Sequence, residues 1–128
     1  MITNCIEYRG WDITLHYDID KSDIGRVQAE LLDFGCSGKL LERALTALDN
    51  FDIDRGMTIA NTDTFEILIC VSRSSSKSEF LNTMVHELYH CGDFISHHDD
   101  PEESAYIIGD LAKLLYKDVH TFLCERCH

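Results

Sequence analysis

The hydrophobic period of the chain changes between residues 65 and 90, and this limits the fold more than any other feature. Phe65, Ile67, Leu68, Ile69, Cys70 and Val71 form a short apolar run of strand composition. A polar break over 72–78 follows. Within it Ser76 and Glu79 have the Ser-x-x-Glu spacing of a capping box, which predicts a helix start. Beyond it Phe80, Leu81, Met84, Val85 and Leu88 recur at helical spacing, and Cys91-Gly92 is the expected end of that helix.

The rest of the chain supplies comparable segments. Trp11, Ile13, Leu15 and Tyr17 alternate with polar residues and predict a half-buried strand over 11–19, joined through an Arg9-Gly10 turn to an extended stretch at 5–8. Ile24, Val27, Leu31 and Leu32 predict a helix over 22–33 that Gly35 can stop. Leu40, Leu41, Ala44, Leu45 and Leu48 predict another over 37–50, with Ser37 as its N-cap. The segments 57–60 and 65–71 read as a second hairpin about a turn at 61–64. Pro101, Glu102 and Glu103 suit the first turn of a last helix carrying Ala105, Ile108, Leu111, Ala112, Leu115 and Val119. Strands, helices, strands and helices in that order predict one α+β domain over 1–128, with a small antiparallel or mixed sheet.

Charge narrows the function classes. Eleven Lys and Arg against 23 Asp and Glu give a net charge of −12, which repels phosphate and disfavours nucleic acids and anionic membranes. No apolar stretch is long enough to span a bilayer, and the first residues lack a basic segment followed by an apolar core. A cytoplasmic protein with free, buried thiols is expected, with Cys5, Cys36 and Cys70 scattered singly among apolar residues.

Chemistry concentrates in His86-Glu87-Leu88-Tyr89-His90. Histidines four apart on a helix project from one face, so both imidazoles can reach a single ion about 2.0–2.1 Å from each. Glu87, next to His86, can take a proton from water at the ion's open position. A zinc site of this kind needs a third protein ligand. The extension with Gly three and His six residues past the second histidine fails, because those positions are Asp93 and Ser96. Cys91 adjoins His90 and points elsewhere on a helix. Cys124, Cys127 and His128 spell a haem-attachment pattern, read as a chance match here, and offer donors for a structural site. The remaining source is a carboxylate in the first turn of the last helix. Glu102 is preferred, because Ala105 and Gly109 three and seven residues on permit close helix approach. Glu103 is the alternative and shares its face with Tyr106 and Asp110.

The segments 83–90 and 102–109 together resemble the gluzincin class of zinc metallopeptidases, and more narrowly the short zincin-like peptidases of bacteria, phages and mobile elements. The resemblance covers about residues 76–119. It implies a small twisted sheet beside the active-site helix, with an edge strand holding an extended peptide; residues 65–71 are the expected edge. It implies Zn²⁺ held by His86, His90 and Glu102 or Glu103, Glu87 as general base, and a peptide or protein substrate. Tyr89, Tyr106, His97 and His98 are the expected pool of oxyanion donors. The chain departs from the larger gluzincins in lacking Asp four residues after the third ligand, where Tyr106 or Ile107 stands; Asp93 and Asp110 are the candidate substitutes. The main alternative function is a non-catalytic zinc-binding domain acting through protein contacts. A third is an acidic interaction protein without metal.

Overall fold

Arg9 and Gly10 both take positive φ, 48° and 82°, as the two central residues of a type I′ hairpin turn do. They join β1 (Ile2–Tyr8) to β2 (Trp11–Ile19) as an antiparallel pair in which Tyr8 faces Trp11. The computed structural model describes residues 1–35, 39, 42–44, 46, 55–96 and 100–126. After β2 come a 3₁₀ turn (Lys21–Asp23), α1 (Ile24–Asp33), β3 (Gly56–Asn61), β4 (Glu66–Ser72), α2 (Lys77–Ser96) and α3 (Pro101–Arg126). Gly35, at φ 90°, ends α1 as its sequence predicts. The expected helix over 37–50 and its Ser37 cap fall largely outside the described residues; positions 39, 42–44 and 46 are helical.

The described strands form one mixed sheet in the order β1-β2-β4-β3. β2 and β4 run parallel, and β3 pairs antiparallel with β4. The fold is therefore α+β, as expected. β4, however, is an interior strand, not the edge expected from residues 65–71. Ile67 to Ser72 are all buried, because helices cover both faces of the sheet there. An unbroken apolar run is what two-sided burial requires. The edge beside α2 is β3.

On one face Trp11, Ile13, Leu15, Tyr17, Ile67, Ile69 and Val71 pack against Phe80, Met84, Leu88 and Cys91 of α2 and Ile107, Leu111, Leu115 and Phe122 of α3. On the other, Ile19, Leu68, Cys70 and Ile59 pack against Val27 and Leu31 of α1, with Ala44. Tyr17 and Ile19 are two residues apart yet serve different faces. The register of β2 on β4 shifts between His16 and Ile19, and Asp18 takes φ 56° there. This bulge turns the end of β2 over. Arg73 holds it: its Nε donates to Asp18 Oδ1 at 3.0 Å and its backbone N–H donates to the Ile19 carbonyl at 2.8 Å.

α2 begins as predicted. The Glu79 N–H donates to Ser76 Oγ at 3.2 Å. It ends later than predicted: Cys91 and Gly92 lie inside it, and the helix continues to Ser96. Gly92 is a packing residue. A Cβ there would stand 3.1 Å from Ile108 Cγ1 and 3.2 Å from the Ser104 carbonyl oxygen. Its bare backbone lets α3 lie close against α2, and Ser96 Oγ and Ser104 Oγ hydrogen-bond across the same seam at 2.7 Å. Asp100 caps α3 through Oδ1, which accepts from the Glu102 N–H at 2.9 Å. No described helix is long and apolar enough to cross a membrane.

Candidate metal centre

The buried stripe of α2 runs through Phe80, Met84, Leu88, Cys91 and Ile95, which fixes how the motif residues are turned. His86 is exposed and His90 half-exposed, on the side of the helix away from that core. Their Nε2 atoms lie 3.1 Å apart, with the rings edge to face and centroids at 4.7 Å. Two nitrogens bound to one tetrahedral zinc at ordinary bond lengths stand about 3.3 Å apart. The pair thus has nearly the bite of a shared ion, held by one turn of helix. Tyr89, about half exposed, has its ring centroid 5.8 Å from that of His90.

Glu87 points from the neighbouring position of the same turn toward β3. It is 3% exposed. Thr58 Oγ1 donates to its Oε1 at 2.8 Å and also lies 3.2 Å from its backbone carbonyl. A carboxylate removed from water is costly unless hydrogen bonds replace the lost solvent, and Thr58 supplies one. Gly56 supplies the space. A Cβ at Gly56 would stand 2.8 Å from Glu87 Cγ and 3.0 Å from Glu87 Oε2. Two residues of the edge strand therefore form the seat of the motif carboxylate. Sequence reasoning singles out neither. A glycine at the start of a strand is a known mark of close approach, and that signal is present at Gly56. On the neighbouring strand β4, burial pushes the Cys70 thiol well above its ordinary range, with the Glu30 and Glu87 carboxylates adding to the effect; Cys5, expected to be buried as well, is exposed, because it faces outward on β1.

The acidic residues expected to complete the metal site lie in the first turn of α3. Glu103 forms an ion pair with Arg9 at the β1–β2 turn. It also lines an open cavity of about 580 Å³ with Arg9, Gly10, Trp11, Phe65, Ile95 and Ser96. The Glu102 side chain is exposed. Among the described residues, no group of three His, Cys, Asp or Glu is gathered as a metal site. The structure thus brings His86 and His90 together and does not gather Glu102 or Glu103 with them.

The other expected participants divide. Asp110 accepts from the Tyr8 hydroxyl at 2.5 Å and so ties α3 to β1. The Asp93 carbonyl accepts from Ser96 Oγ at 3.3 Å. Tyr106 is 63% exposed on α3. His97, His98 and Asp99 lie outside the described residues.

Comparisons of the chain with protein-family models, with curated proteins and with solved structures find no match.

Proposed function

We propose that the chain is a zinc-dependent peptidase of the gluzincin-like kind, hydrolysing peptide bonds of a peptide or protein substrate in the cytoplasm. The observation that carries this reading is the 3.1 Å separation of His86 Nε2 and His90 Nε2 on an exposed helix face, with Glu87 on the same turn. The donor chemistry fits zinc, since neutral imidazoles suit this ion. His86 and His90 would hold it, with Glu102 as the preferred carboxylate and Glu103 the alternative; Glu103 must first leave Arg9. Zinc supplies Lewis acidity toward a carbonyl and makes an activated water available near neutral pH.

The chain's own residues do the rest. Glu87 accepts a proton from the attacking water and returns it to the leaving amine. Thr58 fixes one of its oxygens, so the carboxylate does not swing freely. The edge strand β3 seats that carboxylate, and an extended substrate adding to its open side would lie alongside α2. Tyr89, whose ring lies beside that of His90, is a candidate donor to a developing oxyanion, with Tyr106, His97 and His98 as the others.

A non-catalytic zinc-binding domain acting through protein contacts is the second reading. The burial of Glu87 on Thr58 favours it, because a carboxylate locked in the fold can serve structure alone. Peptide-library turnover separates the two. The peptidase reading requires cleavage by the zinc-loaded chain and its loss in Glu87→Gln at unchanged zinc content. Zinc binding with no cleavage by the wild-type chain, or equal cleavage by both chains, contradicts it.

A further inference from the structure

The open cavity of about 580 Å³ beside the Arg9–Glu103 pair is not used by the proposed peptidase. It lies where four element ends meet: the β1–β2 turn, the residue before β4, the end of α2 and the first turn of α3. Its size is that of pockets which hold small organic molecules.

Its lining is of two kinds. Trp11 and Ile95 belong to the core, whereas Phe65 beside them is 50% exposed. The Phe65 ring meets Trp11 edge to face, with centroids at 5.3 Å. Phe65 takes φ 56°, which a bulky residue rarely adopts, and its carbonyl accepts from the Asp12 N–H at 2.9 Å. An aromatic ring kept half in water on strained backbone costs stability, and backbone of this kind gathers at ligand sites. The polar part of the lining is Arg9 and Glu103, ion-paired and both partly exposed. Arg9 also rests with its guanidinium 5.4 Å from the centre of the Tyr8 ring. A guanidinium has five N–H donors and a carboxylate accepts about four hydrogen bonds, so the pair keeps capacity for a ligand's charges.

We propose that this cavity binds a free α-amino acid with a large apolar side chain. The guanidinium and the carboxylate are in contact, so a ligand that engages both must carry its own anion and cation a few bonds apart. An α-amino acid does so, with its carboxylate on Arg9, its ammonium on Glu103 and its side chain against Phe65, Trp11 and Ile95. It is neutral overall, so the net charge of −12 does not repel it as it would a simple anion. The cavity contains none of His86, Glu87 and His90, and the site stands or falls apart from the peptidase reading.

Trp11 is the one tryptophan of the chain, so its fluorescence reads the cavity wall directly. The test is a titration of the 128-residue chain with L-phenylalanine, without added zinc, excited where only indole absorbs. The expected result is a saturable change in emission that persists in His86→Ala. Affinity should fall by at least about tenfold in Arg9→Asn and in Glu103→Gln, the loss of one charge-assisted hydrogen bond. Asparagine suits the positive φ at position 9, so the first variant keeps its turn. N-acetyl-L-phenylalanine and L-phenylalaninamide each lack one of the two charges and should bind at least about tenfold more weakly than the free amino acid. No saturable change up to about 10 mM, undiminished affinity in either cavity variant, or equal binding of either blocked form would each overturn the proposal.

Discussion

The Cγ of Glu87 lies 2.8 Å from the point where a Cβ on Gly56 would stand. The motif carboxylate thus occupies a slot that exists only because the edge strand carries glycine there. Gly56→Ala cannot be absorbed by moving the glutamate alone, since the new methyl would also meet the Cys70 carbonyl oxygen at 3.0 Å. Urea unfolding should show a loss of about 1–3 kcal/mol. In the proposed peptidase, activity at saturating zinc should fall further than the folded fraction does, because the carboxylate is displaced.

Thr58 Oγ1 holds Glu87 Oε1 at 2.8 Å. Thr58→Val keeps the shape and removes the donor, leaving a buried carboxylate oxygen without it. The expected cost is about 1–3 kcal/mol in chemical unfolding, and Thr58→Ser should recover most of it.

Two glycines of the helical pair should respond to alanine in opposite directions. A methyl added at Gly109 on α3 would meet nothing within 4 Å, so Gly109→Ala should stabilise by about 0.5–1 kcal/mol through helix propensity. A methyl at Gly92 would meet the Ser104 carbonyl oxygen at 3.2 Å, and a backbone atom in a packed helix yields little. Gly92→Ala should destabilise despite the same propensity gain. Thermal unfolding of the two variants side by side checks both signs.

Alkaline pH should weaken the fold before any general denaturation. Burial, with the Asp118 charge adding, pushes the Tyr17 phenol from its ordinary 10 up to about 12. Burial also pushes the Cys91 thiol up to about 12. Both groups hold their protons more tightly folded than unfolded. Their contribution is therefore intact below the unfolded pKa values and is lost as pH rises through the folded ones. Between about pH 9 and 12 the stability should fall, with Tyr17 accounting for up to about 3 kcal/mol. Urea midpoints across that range should flatten in Tyr17→Phe; an unchanged slope would remove Tyr17 from the explanation.

How far the sequence reaches can be seen at particular residues. Local signals carry well where one physical cause acts. Ser76 starts α2, Gly35 stops α1, and the Arg9-Gly10 pair turns the first hairpin, each because backbone geometry there depends on a few neighbouring atoms. They fail where one residue type serves two purposes. Gly92 looks like a helix stop and is a contact point for α3, a distinction that only the partner helix makes. The apolar run after Glu66 reads as an edge because it precedes the motif helix in the chain, yet its lack of alternation already indicates burial on both faces. The switch of Ile19 to the second core follows from a bulge at Asp18, which no periodicity encodes. At the site, His86 and His90 are legible because helix geometry alone brings them together. Thr58 and Gly56 are not, since they reach Glu87 only through the pairing of β3 with β4 and the packing of α2.

Zinc titration of the wild-type chain by calorimetry reads the His86–His90 pair most directly. A chelating pair requires tight uptake of about one zinc by that chain and the loss of that uptake when His90→Ala is added. Equal uptake by both chains would contradict the metal centre, and with it the proposed peptidase.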